Sequence, residues 1–153
     1  MPRIRPLIPA RFPERGAAAV EMAIVFPLLL LLIGGIFDLG RFMFTKEMLT
    51  NAAREGARAV AVGYSEAEAT TRINTSLAGG QAIATPTFVY SSGTGDCPTP
   101  PDATDDVRVT VSTPASGAGQ FKFIILGPAS RFFGATALSA PVLTGASNMR
   151  CGG

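Results

Sequence analysis

The sequence predicts an α+β protein: a long N-terminal transmembrane helix that continues into a small exported domain with a second helix and a short antiparallel sheet. Three observations predict it. Residues 17–37 form an almost uninterrupted apolar run, and residues 38–63 extend it with good helix formers. Farther on, Val107, Val109 and Val111 alternate with Arg108, Thr110 and Ser112, the period of a half-buried strand.

The apolar run, AAAVEMAIVFPLLLLLIGGIF, carries one charge, Glu21. About 20 such residues at ~1.5 Å each cross a hydrocarbon core of about 30 Å. Pro27 and the pair Gly34-Gly35 would break a soluble helix, but membrane helices tolerate them, with proline marking a kink. Arg3, Arg5, Arg11 and Arg15 precede the run and favour a cytoplasmic N-terminus, although Arg41, Lys46 and Arg54 on the far flank make the bias slight.

A secretory signal has a shorter apolar region followed by an A-x-A-like site. Here the run is followed by FDLGRFMFTKEM, without such a site. The informative residues lie before it, at Glu14-Arg15-Gly16. A cut between Gly16 and Ala17 makes Ala17 the first residue and Glu21 the fifth. This arrangement resembles the cleavage site of type IV prepilins and pseudopilins, where a membrane prepilin peptidase cuts after glycine. A carboxylate in a membrane helix needs a partner, and the free amino group of a neighbouring subunit in staggered register supplies one. The alternative is a glutamate at the helix start, stabilised by the macrodipole and snorkelling to the headgroups.

Beyond the bilayer, Glu47, Arg54 and Arg58 share one helix face, while Leu49, Ala52, Ala53, Gly56, Ala57, Val60 and Ala61 fill another. The ladders Ala53-Ala57-Ala61 and Ala52-Gly56-Val60 allow close approach of another backbone or sheet. That neighbour is either another helix or the chain's own domain. Gly63 offers a C-terminal stop.

These residues together resemble the N-terminal signature of the TadE-like proteins. The elements are a basic-Gly-Ala-Ala-Ala-Val-Glu start (Arg15 to Glu21), an internal proline (Pro27), an acidic-x-Gly-Arg turn (Asp38 to Arg41) and the block Asn51 to Arg58. The resemblance covers about 50 residues in order and does not extend convincingly into the remainder. It implies a pilin-like fold and a minor pseudopilin of the tight-adherence (Flp pilus) system in a bacterial inner membrane. The implied partners are the membrane, a prepilin peptidase, the Flp pilin, other pseudopilins and the Tad assembly platform. On this reading residues 1–16 are a basic leader removed on processing, 17–37 the membrane helix, 38–63 its extension and 64–153 the exported domain.

Within that domain, Ser65 with Glu68 forms a capping-box pattern opening a second helix, which the pair Gly79-Gly80 should end. Thr87 to Ser91 reads as a short strand with Phe88 and Tyr90 on one face, and SGTGDCPTPPDATDD as a turn-rich loop. Leu138 to Ser147 reads as a further strand, with Pro141 demanding an edge or a bulge. Phe121 to Phe133 (FKFIILGPASRFF) is read as a core strand followed by a turn or a short helix covering the sheet, in preference to a patch touching the membrane or a partner. Cys97 precedes the valine strand and Cys151 follows the last one, so antiparallel pairing would bring them together. A bridge there would contribute roughly 3–4 kcal/mol; the alternative is two unpaired thiols.

Other function classes find no support in the residues. A net charge of +2, without an RRM, zinc-finger or helix-turn-helix pattern, gives no case for nucleic acid. Histidine is absent, which removes the commonest general base and metal ligand. No nucleophile elbow, P-loop or zincin motif occurs. Lys46 and Lys122 are the only lysines and neither sits in a catalytic motif. Asp102, Asp105 and Asp106 cluster, but they match no EF-hand and read as a solvated acidic turn. No enzyme, cofactor or metal is expected. Two readings are pseudopilins, either joining or priming a fibre or staying in the assembly platform. The third is a binding or enzymatic module that uses the helix only as a tether.

Overall fold

The computed structural model describes residues 15–77, 83–93, 95–98, 104–132, 134, 136 and 138–152. Helix α1 runs unbroken over Arg15–Ala61. At ~1.5 Å per residue it is about 70 Å long, far longer than a bilayer core. Pro27 lies inside it. The acidic-x-Gly-Arg element at Asp38 to Arg41 is not a turn as expected but a continuation of the helix, because helical spacing is what places Asp38 and Arg41 one turn apart on neighbouring faces.

After Ala61 the chain reverses through Gly63, whose φ of 93° lies in the left-handed region that glycine occupies without strain. Helix α2 (Glu66–Ser76) then starts on the expected capping box. The Ser65 backbone N–H donates to Glu68 Oε2 at 3.1 Å, and the Glu68 N–H donates to Ser65 Oγ at 3.4 Å. The hydrogen bonds from the Ser65 side chain and then its backbone hold the Glu68 carboxyl below the ordinary carboxylate range. Helix α2 ends at Ser76 with Leu77 as its cap; the expected stop at Gly79-Gly80 lies outside the described residues.

Three strands follow, β1 (Thr87–Tyr90), β2 (Asp106–Ser112) and, after a short helix, β3 (Thr144–Arg150). They form one antiparallel sheet in the order β1-β2-β3, with Phe88 opposite Val109 and Val109 opposite Ser147. The valine alternation has the expected consequence: Val107, Val109 and Val111 are fully buried in the centre. The last strand is shifted from its expected place. It begins at Thr144, three residues after Pro141, and runs to Arg150. Pro141 has no N–H to give a ladder, and the pairing with β2 starts three residues beyond it, at Thr144.

The core lies where this sheet and α2 meet the upper part of α1. Leu49, Ala53 and Ala57 of α1, Ala69 and Ile73 of α2, the three valines of β2, and Phe121 and Leu143 make one buried cluster. Two glycines set how closely these layers approach. A Cβ at Gly56 would meet Ile73 Cδ1 at 2.5 Å, so α2 seats its isoleucine on a bare backbone position. A Cβ at Gly145 would run into the α1 backbone at Leu49 and Thr50, so β3 lies directly on the helix main chain. Gly145→Ala should therefore cost about 1–3 kcal/mol through overpacking. Thermal unfolding in detergent, followed by near-UV circular dichroism, measures it; an unchanged midpoint would show that the layers can separate freely.

Candidate functional site

The first turns of α1 hold Gly16, Ala17 and Glu21, all exposed. The leader from Met1 to Glu14 lies outside the described residues. Ala17 and Glu21 are four residues apart, one turn along the same face. Every residue from Gly16 to Leu30 is exposed around the whole circumference of the helix. Among the described residues, this is the one helix long and apolar enough to cross a membrane, judged by length and composition.

From Leu31 upward one side of α1 is covered. Among the positions of reduced exposure, Leu31, Gly34, Asp38, Phe42, Thr45 and Leu49 fall three or four residues apart and form a stripe, flanked by Gly35, Met48 and Thr50. The lower part of that stripe is covered by residues 121–132, which end in helix α3 (Leu126–Phe132). The expectation for this segment holds in part. Residues 121–132 add no strand, but Phe121 joins the buried cluster that includes the β2 valines and Phe123 packs against it. The remainder packs on α1, where Ile125 sits in the place a Gly34 side chain would take.

The segment is fixed by a residue that the sequence reasoning assigned only as part of the family pattern. Asp38 is 1% exposed, and its carboxylate accepts the backbone N–H groups of Ile124, Ile125 and Leu126 at 3.0, 2.9 and 2.8 Å. An ionised carboxylate satisfying three successive donors is a strong, directional clamp, and these donors open α3. Arg41 supports it from one turn above. Its guanidinium lies 3.8 Å from Asp38 Oδ1, donates to the Lys122 carbonyl at 3.4 Å and sits 5.5 Å from the Phe121 ring centroid. Phe121 in turn meets Phe42 and Phe123 edge to face at centroid distances of 5.9 and 5.4 Å. The available signal was an acid just past an apolar run with an arginine three residues later, but its partners are remote in sequence.

The small-residue ladder has an occupant as well. Ala53, Gly56 and Ala57 are buried against the chain's own sheet and α2. Their spacing therefore does not distinguish a subunit that packs against neighbours from a tethered domain. Glu47, Arg54 and Arg58 face outward, as do Lys46 and Lys122.

Cys97 and Cys151 are joined, with a Cα–Cα distance of 5.6 Å across a separation of 54 residues. The antiparallel register that sets Asp106 opposite Arg150 places the flanking residues side by side, and Cys151 N–H donates to the Asp105 carbonyl at 2.9 Å. Asp106 accepts from the Asn148 side chain at 2.5 Å. Asp102 lies outside the described residues, and among the described ones no group of three metal-ligating side chains assembles.

Comparison with known proteins bears on the helix alone. Residues 16–58 match the family model described as TadE-like protein. No curated protein and no solved structure gives a match.

Proposed function

We propose that this chain, TadE-like over residues 16–58, is a minor pseudopilin that takes part in assembling Flp/Tad-type pili, and hence in adhesion and secretion. The observation that carries this reading is the family match, because the matched residues contain Gly16, Glu21, Pro27 and the Asp38–Arg41 pair in one helix. The role is structural rather than enzymatic. In this reading α1 spans the bacterial inner membrane with its N-terminus in the cytoplasm. A prepilin peptidase removes the leader after Gly16, and the new Ala17 amino terminus and Glu21 pair between neighbouring subunits. The exposed circumference from Gly16 to Leu30 leaves room for such neighbours, among them the Flp pilin, other pseudopilins and the Tad assembly platform. The bridge between Cys97 and Cys151 supports an oxidising, exported setting for the C-terminal domain.

N-terminal sequencing of protein co-produced with a prepilin peptidase tests the processing step. Ala17 should be the first residue. Gly16→Leu should abolish cleavage and leave the leader's mass on the product. Recovery of Met1 on the working, membrane-extracted protein would leave only the tethered module. Glu21→Ala should leave cleavage intact yet abolish or strongly reduce piliation; normal piliation would mean that the carboxylate merely snorkels.

A further inference from the structure

We infer that residues 122–131, with Leu138, form a foot that inserts into the headgroup region of the leaflet on the domain's side and binds anionic phospholipid there through Lys122 and Arg131. The inference rests on the anchoring part of the function proposed above, that α1 spans a bilayer over residues 17–37.

Depth is the first argument. Ile125 lies against Gly34, three residues before Phe37, so the foot touches the rod about 4.5 Å inside the end of the apolar run. A chain anchored over that run carries Ile124 and Ile125 at lipid level. Both are exposed, Ile124 at 61% and Ile125 at 38%, as are Ile36 and Phe37 at the same height of α1. The exposed apolar side chains of the foot thus lie at the level of exposed apolar side chains of the rod.

Backbone satisfaction is the second. Irregular chain is tolerated near hydrocarbon only where its N–H groups have partners. Here the three N–H groups at the tip, those of Ile124, Ile125 and Leu126, are bonded to Asp38, and the Ala129 N–H bonds the Ile125 carbonyl at 3.1 Å. The clamp therefore presents two isoleucine side chains to lipid without bare amides at the tip.

Charge is the third. Asp106 is the last acidic residue of the chain, so residues 107–153 contain only basic charges. Lys122 and Arg131 line one groove of about 510 Å³ together with Phe123, Pro128 and Leu138. Arg41 lies beside Lys122, and its charge is balanced by Asp38. Among the described residues Lys122 and Arg131 form no ion pair. They share the groove with Gln120 and with the apolar side chains of Phe123, Pro128 and Leu138, a mixed lining that matches a lipid phosphate above its acyl chains.

The test uses the full chain in phosphatidylcholine vesicles with and without phosphatidylglycerol. An environment-sensitive fluorophore is placed at I124C, with F26C in the span and T71C on α2 as controls, and lipids carry spin labels near the headgroup or deep in the chains. The label at I124C should be quenched several-fold more than at T71C by the shallow spin label, and F26C by the deep one. Phosphatidylglycerol should increase the I124C quenching, and K122Q/R131Q should lose that increase. Quenching at F26C with none at I124C overturns the foot and leaves the anchor standing. No quenching at either position means that the anchor reading has failed. A blue-shifted but unquenched I124C that reverts on dilution with lipid shows a second copy covering the foot and overturns the lipid assignment. An increase that survives K122Q/R131Q overturns the headgroup site.

Discussion

Replacing Asp38 with alanine is expected to free residues 121–132 from α1 and to destabilise the domain by about 3–5 kcal/mol. Few single changes in this chain should cost as much. The carboxylate is 1% exposed and serves three backbone donors at once. Truncation leaves all three N–H groups without an acceptor in a place that water reaches poorly, and each such orphan costs about 1–3 kcal/mol. It also strands Arg41, whose guanidinium lies 3.8 Å from that carboxylate. Asp38→Asn retains one carbonyl acceptor and should fall between the two. Hydrogen exchange at the amides of Ile124, Ile125 and Leu126 is the most direct readout. Protection of those amides should collapse in Asp38→Ala while the amides of β2 stay protected; unchanged protection would show that the clamp carries no load.

Removing the cross-link is the second large effect. Cys97→Ser/Cys151→Ser opens a loop closed across 54 residues, for which the chain-entropy model gives roughly 4 kcal/mol at about 25 °C. A domain with so small a core has little stability to spare. The Cys151 N–H bond to Asp105 and the Gly152 N–H bond to Ala61, both 2.9 Å, remain after substitution. The variant should therefore keep the strand pairing yet unfold at markedly lower denaturant than the parent in detergent. Treatment of the parent with a reductant should reproduce the shift. Equal midpoints for oxidised and reduced protein would show that the bridge constrains nothing.

Sequence patterns with local causes were legible. The valine alternation identifies β2 because a strand's faces are set two residues apart, and Ser65 with Glu68 identifies the start of α2 because a capping box is closed within one turn. What failed to show was structure made by distant partners. The donors to Asp38 lie 86 to 88 residues downstream, and nothing near either segment announces the pairing. Strand β3 reads TGASNMR, too polar and irregular to signal itself. It is a strand because β2 supplies the ladder and Gly145 lets it lie on the helix backbone. The small-residue ladder on α1 was legible as a close-packing face but not as to whose surface it meets, since a neighbouring subunit and the chain's own domain ask for the same side chains. The N-terminal reading is of a different kind: it rests on the spacing of Gly16 and Glu21 alone, and to it the structure adds only that both lie on an unshielded helix surface.

The grip of the domain on α1 begins at Leu31 and continues to the helix end. Copies arranged around a shared axis can therefore crowd together on all sides only below that height. Above it each rod has one flank shut by its own headpiece, so a neighbour that reaches that height meets only the opposite flank.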